Sequence, residues 1–347
     1  MNTAREPLLA ELKAQGLAPL WTTLHDLVPP VPRSQMRPAH WTYDLIRPLL
    51  LRAGEAITAE EAIRRVLILE NPGAAGTGCI TDTLYAGFQL ILPGEVAPAH
   101  RHSQSAFRFI VEGQGAYTTV RAERFDMGSG DLILTPNFEW HDHGHQGEEP
   151  VIWLDGLDIP LVRSLAAGFA ENFALKQQAL VSAPGTNAAQ WGSGLRPVGA
   201  KCTQVPRRVE RFAYRFSEWH GALTALARSG SPPGTEGFEL EFVNPVDGTS
   251  VLPTMSAYCQ LLPKGFKTPV LRRTDGRIFT VVEGSGRVHA GECVFHPVAR
   301  DVFVIPSWIP YSIHAEEPLV LFSYSDRATQ ERLGLWRLSI DHESGVA

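Results

Sequence analysis

Cysteine is scarce in this chain: Cys79, Cys202, Cys259 and Cys293 are the only four in 347 residues. They are scattered with no paired spacing, which argues against a disulfide framework and predicts free thiols in a reducing cytoplasm. Long apolar runs are also missing, and none approaches the ~18 to 20 residues a membrane helix needs. The start, Met1 to Pro7, is polar and leads into an amphipathic stretch, so no signal peptide is expected. Charge of one sign is lacking as well. The chain carries 31 basic and 37 acidic residues, a net charge of −6, and its basic residues come in pairs such as Arg207-Arg208 and Arg272-Arg273. Without a basic stripe there is no surface for nucleic acid. What remains, 44% hydrophobic and 20% charged, is the composition of a soluble globular protein long enough for two domains.

Residues 5 to 28 repeat leucine and tryptophan at helical spacing (Leu8, Leu12, Leu20, Trp21, Leu24 and Leu27), and Pro29, Pro30 and Pro32 end the pattern. A short helix is expected over 59 to 66, then a strand from Val66 to Leu69 and a turn at Asn71-Pro72-Gly73. From about 82 to 163 short apolar runs alternate with Gly and Pro turns: Ala86 to Leu92, Phe107 to Val111, Ala116 to Val120, Asp131 to Thr135 and Val151 to Leu154. This texture predicts a β sandwich or barrel. Val162 to Leu180 and Glu218 to Arg228 are helix candidates, and Ser229 to Gly237 is a loop. The stretch 181 to 215 carries no pattern that assigns it.

Three histidines stand out. His100 and His102 fall two apart in a strand-like segment and so share a face, and a hairpin return can bring His141 to the same point. Three neutral imidazoles leave open positions on a first-row metal, and open positions allow chemistry. Imidazole suits zinc, copper, nickel and iron alike. A facial set with open positions is the logic of non-haem iron oxygenases, so Fe(II) is favoured, with zinc and manganese open. His143 shares the face of His141. His145 is a weaker site candidate, because Gly144 and Gly147 predict that the strand has turned by then.

The β texture returns from about 251 to 325, and it returns as a repeat. Phe107 to Gly115 is echoed by Arg277 to Gly286, and Asp131 to Pro136 by Asp301 to Pro306. Counting from these anchors, Leu271, Arg273 and Tyr311 replace His100, His102 and His141. Leucine and arginine do not ligate metals, so the second copy is expected to be metal-free and to serve as scaffold, interface or lid.

The sequence resembles the two-motif signature of the cupin superfamily, present twice. That motif usually adds a glutamate three or four residues after the second histidine, whereas here Ser103-Gln104-Ser105-Ala106-Phe107 holds no carboxylate. The resemblance implies a mainly β bicupin: two tandem jelly-roll-like barrels, an N-terminal helical segment and a helical or loop linker. The expected boundaries are an N-terminal helical segment over 1–75, a metal-binding cupin over 76–163, a linker with helices over 164–250 and a degenerate, metal-free cupin over 251–347.

A narrower resemblance covers nearly the whole chain. Arg64-Arg65-Val66-Leu67-Ile68-Leu69-Glu70-Asn71-Pro72-Gly73, Pro98 to Phe109, Leu134 to Gly144 and Trp153 to Asp158 are similar to gentisate 1,2-dioxygenases. That group also contains dioxygenases of salicylate, 5-substituted salicylates and 1-hydroxy-2-naphthoate. It implies Fe(II), O2, a small aromatic hydroxy-acid substrate and a homo-oligomer, often a tetramer. It also implies extradiol-type ring opening between the carboxyl- and hydroxyl-bearing carbons, which would turn gentisate into maleylpyruvate. By position it implies substrate contacts at Arg64, Gln89, Arg108 and His143, and catalytic roles for Arg108, His143 and Asp155.

Chemistry supports these positions separately. A guanidinium fork pairs well with a carboxylate, and Arg108 lies an even offset from His102. Arg65 competes with Arg64 for that task. Gln89 sits in an apolar strand, where an amide is costly unless bonded. Asp155 could orient His143 or a ligand histidine through its second ring nitrogen. Two readings from other classes stand beside this one, a zinc or manganese cupin isomerase or hydrolase, and a non-catalytic ligand-binding bicupin.

Overall fold

The computed structural model describes residues 5–62, 64–192 and 208–341. Cys202, Arg207 and part of the unassigned stretch 181 to 215 lie outside the described residues. The chain divides into two units, one ending at Ser34 and one beginning at Gln35. In the first, the single helix expected over 5 to 28 is two, Arg5–Ala14 and Leu20–Leu27. Gly16 takes a positive φ of 70° between them, and Pro19 caps the second helix, so the apolar spacing runs across a real break.

The second unit is mainly β and contains two barrels of opposed sheets. In the first barrel the strands Arg65–Ile68, Tyr85–Ile91, Val151–Leu157, Ala106–Glu112 and Leu132–Thr135 form one sheet. Glu123–Gly128, Gln114–Val120, His141–His145 and Val96–His102 form most of the other. The second barrel repeats the plan, with Phe238–Phe242, Ser256–Leu262, Leu319–Ser325, Arg277–Glu283 and Val302–Ile305 in one sheet. Even the irregularities recur: the register shifts at Ile152/Trp153 in the first barrel and at Val281/Glu283 in the second. The two larger sheets meet through their outward faces, where Phe109 stacks on Phe322 at 4.2 Å and Phe107 meets Tyr324 edge-on at 4.7 Å. Offset and edge-on rings of this kind add to what apolar burial contributes.

Each barrel borrows a strand from the segment that precedes the other. Ala39–Trp41 pairs with Val302–Ile305 of the second barrel, and Ala213–Tyr214 pairs with Leu132–Thr135 of the first. The helix that follows then turns back: Tyr43–Ala56 packs on the first barrel and Phe216–Arg228 on the second. An aspartate secures each crossing, since Asp301 accepts the Tyr43 amide (2.8 Å) and Asp131 that of Phe216 (2.9 Å).

Several local expectations change. The helix expected over 59 to 66 is only Ala59–Ala62, and the strand begins already at Arg65. The helix expected over Val162 to Leu180 is Ile159–Ser164, after which Ala170–Asn172 pairs with His100–His102. There the open edge of the metal-motif strand overrides helical spacing, because backbone pairing satisfies groups that would otherwise face water. The stretch 164–250 thus supplies edge strands to both barrels as well as helices. No helix in the described residues is long and apolar enough to cross a membrane.

Candidate metal centre

His100, His102 and His141 meet as the hairpin argument requires. His100 lies opposite His141 in the register of adjacent strands, and the ligand atoms of all three lie within 4.8 Å of one another. Among the described residues this is the one such cluster of histidine, cysteine or carboxylate side chains. Each Nδ1 faces a backbone carbonyl: that of Pro98 for His100 (3.2 Å), Gln104 for His102 (2.8 Å) and Glu139 for His141 (3.0 Å). Donation from Nδ1 leaves the Nε2 lone pairs of His102 and His141 free to face inward, whereas His100 Nδ1 is shared between the Pro98 carbonyl and the Arg64 guanidinium. The Nε2 of His141 is fully buried and has no partner in the protein, as expected of a donor atom set for a metal.

Burial is the first cause that keeps these rings neutral. It pushes His100 down to about 3 and His102 down to about 4, and it lowers His141 well below the ordinary imidazole range. Arg64 and Arg108 add to the effect on His100 and His102, and Arg108 on His141. Neutral imidazoles ligate metals and imidazoliums do not, so the residues fit a bound metal ion.

Around the histidines lie charged side chains, most of them buried. Arg108 is buried, donates to Thr135 Oγ1 (2.7 Å) and turns its Nε to Asp155 at 3.7 Å, a distance that leaves Nε without a hydrogen bond. Arg64 reaches the same place from the neighbouring edge. Its Nη2 donates to Pro98 O (3.1 Å) and stands 2.8 Å from His100 Nδ1. Burial, then the charge of Arg108, lowers Arg64 to about 10. Its rival Arg65 points elsewhere, into a buried ion pair with Glu95.

His143 is fully buried, its Nδ1 2.8 Å from Thr118 Oγ1 and its Nε2 unpartnered. Its ring lies 5.7 Å from that of His141 and 5.8 Å from Trp153. Gln89 is buried opposite Trp153 in the facing sheet, one cross-strand row from Arg108, Asp155 and Gly87. Asp155 does not orient a histidine. Its carboxylate accepts the Trp153 indole N–H (3.0 Å) and faces Arg108, and burial pushes it up to about 6. The orienting task falls instead to backbone carbonyls and to Thr118. The strand expected to have turned before His145 continues through it, and His145 closes the following turn by donating to Glu149 O (2.6 Å).

Sequence reasoning missed Thr118 and Thr135. Both lie in recognised strands, and their cross-strand positions beside His143 and Ala106 would have been visible had the register been known.

The comparisons with known proteins now add to this geometry. A cupin domain is matched over residues 87–157. A gentisate 1,2-dioxygenase from Aquipseudomonas alcaligenes is 44% identical over 96% of both chains. The chain belongs to the gentisate 1,2-dioxygenase family. A family relative from Comamonas, a 5-aminosalicylate 1,2-dioxygenase, is 33% identical over 97% of this chain and 90% of its own. Among solved structures, the salicylate 1,2-dioxygenase of Pseudoaminobacter salicylatoxidans, determined as gentisate adducts, superposes with a TM-score of 0.92 at 34% identity, covering 99% of this chain and 95% of that one. Membership makes the chain a ring-cleaving dioxygenase with a bicupin fold, in agreement with the architecture.

The register also bears on the second barrel. Leu271 lies opposite Tyr311, as His100 lies opposite His141. Arg273, in the place of His102, is ion-paired with Glu236 and donates to the Tyr311 hydroxyl (3.1 Å), and Arg277 joins the same cluster.

Proposed function

We propose that this protein opens the ring of gentisate between the carboxyl-bearing and adjacent hydroxyl-bearing carbons, giving maleylpyruvate, with Fe(II) at His100, His102 and His141. The observation that carries this reading is the convergence of two shielded guanidiniums, Arg64 and Arg108, on a neutral three-histidine centre. Arg108, buried with Asp155 no nearer than 3.7 Å and no hydrogen bond to its Nε, calls for an anion, and a hydroxybenzoate brings one.

Iron(II), with the positions that three protein ligands leave open, supplies the electron exchange between an electron-rich ring and O2. Arg108, fixed by Thr135, and Arg64 hold the substrate carboxylate and set the ring's orientation. His143 is neutral because of burial and then the nearby guanidiniums, and its free Nε2 can take the proton of the ortho hydroxyl. Gln89 and Trp153 line the facing sheet and exclude water. Asp155 holds Arg108 and Trp153 in place.

The gentisate assignment draws on the 44% identical relative and on chemistry, since a second hydroxyl para to the first feeds electrons into ring opening. The same chemistry on salicylate, a 5-substituted salicylate or 1-hydroxy-2-naphthoate is the alternative, motivated by the relatives at 33–34% identity. Steady-state O2 uptake by the Fe(II)-loaded protein separates the two. The gentisate reading expects kcat/KM highest for gentisate, and a higher value for salicylate or 1-hydroxy-2-naphthoate would replace the substrate while keeping the reaction. Uptake with none of them would overturn it in favour of a zinc or manganese cupin. A homotetrameric assembly and a cytoplasmic location complete the proposal, the latter in keeping with the unpaired Cys79, Cys259 and Cys293.

A further inference from the structure

The carbonyl that fixes His102 belongs to a peptide unit with a carboxylate on its far side. His102 Nδ1 donates to Gln104 O (2.8 Å), and the N–H of that same peptide, Ser105 N, donates to Asp158 Oδ1 (2.9 Å). Asp158 is 1% exposed, and its other oxygen accepts the hydroxyl of Thr254 (2.5 Å), a residue of the second barrel. The carbonyl behind His100 has no such backing, because the N–H of the Pro98–Ala99 peptide goes to the neutral carbonyl of Lys176 (2.8 Å).

The second barrel contains the twin of this clamp without its histidine. Asp326 ends the equivalent strand, and its Oδ1 accepts Gly276 N (3.1 Å), the counterpart of Ser105 N. Thr83, the counterpart of Thr254, lies near enough to Asp326 to lower its pKa. In the twin, however, Arg273 stands where His102 would be, so the carboxylate has no imidazole to act on.

We propose that Asp158, held by Thr254, is a positioning residue for the metal centre, its charge acting through the Gln104–Ser105 peptide to strengthen His102 as a ligand. The inference rests on metal binding at the three histidines. A peptide is one resonance unit, so donating its N–H to an anion enriches its carbonyl oxygen, and hydrogen bonds in series reinforce one another. The stronger acceptor pulls on Nδ1–H and makes Nε2 more basic, as a carboxylate bonded directly to a ligand histidine does. Burial raises Asp158 to about 6, with the Thr254 and Ser105 bonds pulling it back, which leaves it anionic at neutral pH. Through Thr254, the degenerate barrel reaches the centre it has lost in its own half.

The test is a Co(II) titration of the full-length apo-protein against a competing chelator, following the cobalt absorption bands, for wild type, Asp158→Asn, Asp326→Asn and Thr254→Val. Asparagine keeps the shape and the acceptor oxygen but removes the charge. Asp158→Asn is expected to bind Co(II) about tenfold more weakly, with shifted bands, and Thr254→Val to move in the same direction by less. Asp326→Asn is expected to bind as wild type does, although its apo thermal midpoint changes comparably. Unchanged affinity and bands in Asp158→Asn, or equal weakening in Asp326→Asn, would overturn the proposal. Absence of Co(II) binding by the wild type would instead bring down the metal-site reading, and this proposal with it.

Discussion

At the residue scale, side chains with incompatible needs in a dry interior define the site. Arg108 is buried, with Asp155 3.7 Å from its Nε and no hydrogen bond there, an arrangement that the proposed substrate carboxylate would complete. Arg108→Gln is therefore expected to lower kcat/KM for gentisate by roughly 10²- to 10³-fold, in line with truncating one partner of a buried charge pair, while iron content stays at the wild-type level. Parallel kinetics and metal analysis check it. His143→Gln is expected to lower kcat by about 10²-fold, within the range of a lost general base, with less effect on KM. The metal triad and its degenerate counterpart were legible because strand periodicity and the Gly and Pro anchors place the histidines without any tertiary knowledge. The true partner of Asp155 was not legible. A two-residue offset within one strand lets the Trp153 indole reach it, and its pairing with Arg108 depends on which strands are neighbours.

At the scale of elements, Gly144 shows how tightly the metal strand is packed. It lies between His143 and His145 on the opposite face, where an added Cβ would come 2.3 Å from the Tyr117 hydroxyl oxygen and 2.4 Å from its Cζ. Tyr117 is its register partner and is held by Gln177. Gly144→Ala should thus push two strands apart, lower the thermal midpoint and weaken metal binding, because His141 and His143 share the displaced strand. Apo calorimetry with a metal titration tests this, and a variant of wild-type stability and affinity would contradict it. The sequence announced most strands by their alternation. It hid the helix Tyr43–Ala56, whose buried Tyr43, Ile46 and Leu50 keep helical spacing but whose Pro48 reads as a breaker. It also suggested helix beyond Ser164, where pairing with the His100–His102 strand prevails.

At the scale of the whole molecule, the barrels are tied together by the exchanged strands, the stacked aromatics and the bond from Thr254 to Asp158. Nothing local in Ala39–Trp41 or Ala213–Tyr214 says which barrel each will join, so the crossing could not be read from sequence although the repeat could. Burial, then the neighbouring Asp275, raises Asp326 from 3.8 to about 6. An acid with a raised folded pKa contributes stability fully below its unfolded value and loses it as pH rises through the folded value. Relative to Asp326→Asn, the wild type should therefore gain stability as pH falls from 7 to about 4, by on the order of 2–3 kcal/mol. Thermal or urea unfolding of both proteins at the two pH values checks the sign, and a constant difference would refute it. The central claim, a three-histidine iron centre that joins O2 to gentisate, is tested most directly with labelled oxygen. Fe(II)-loaded protein turning over gentisate under ¹⁸O2 should give a ring-opened product with one labelled atom in the new carboxylate and, on rapid trapping, the second in the new keto group, and His141→Ala should give none. Because the new keto oxygen exchanges with water, the new carboxylate is the deciding position: no label there, or equal turnover by His141→Ala, would contradict the account.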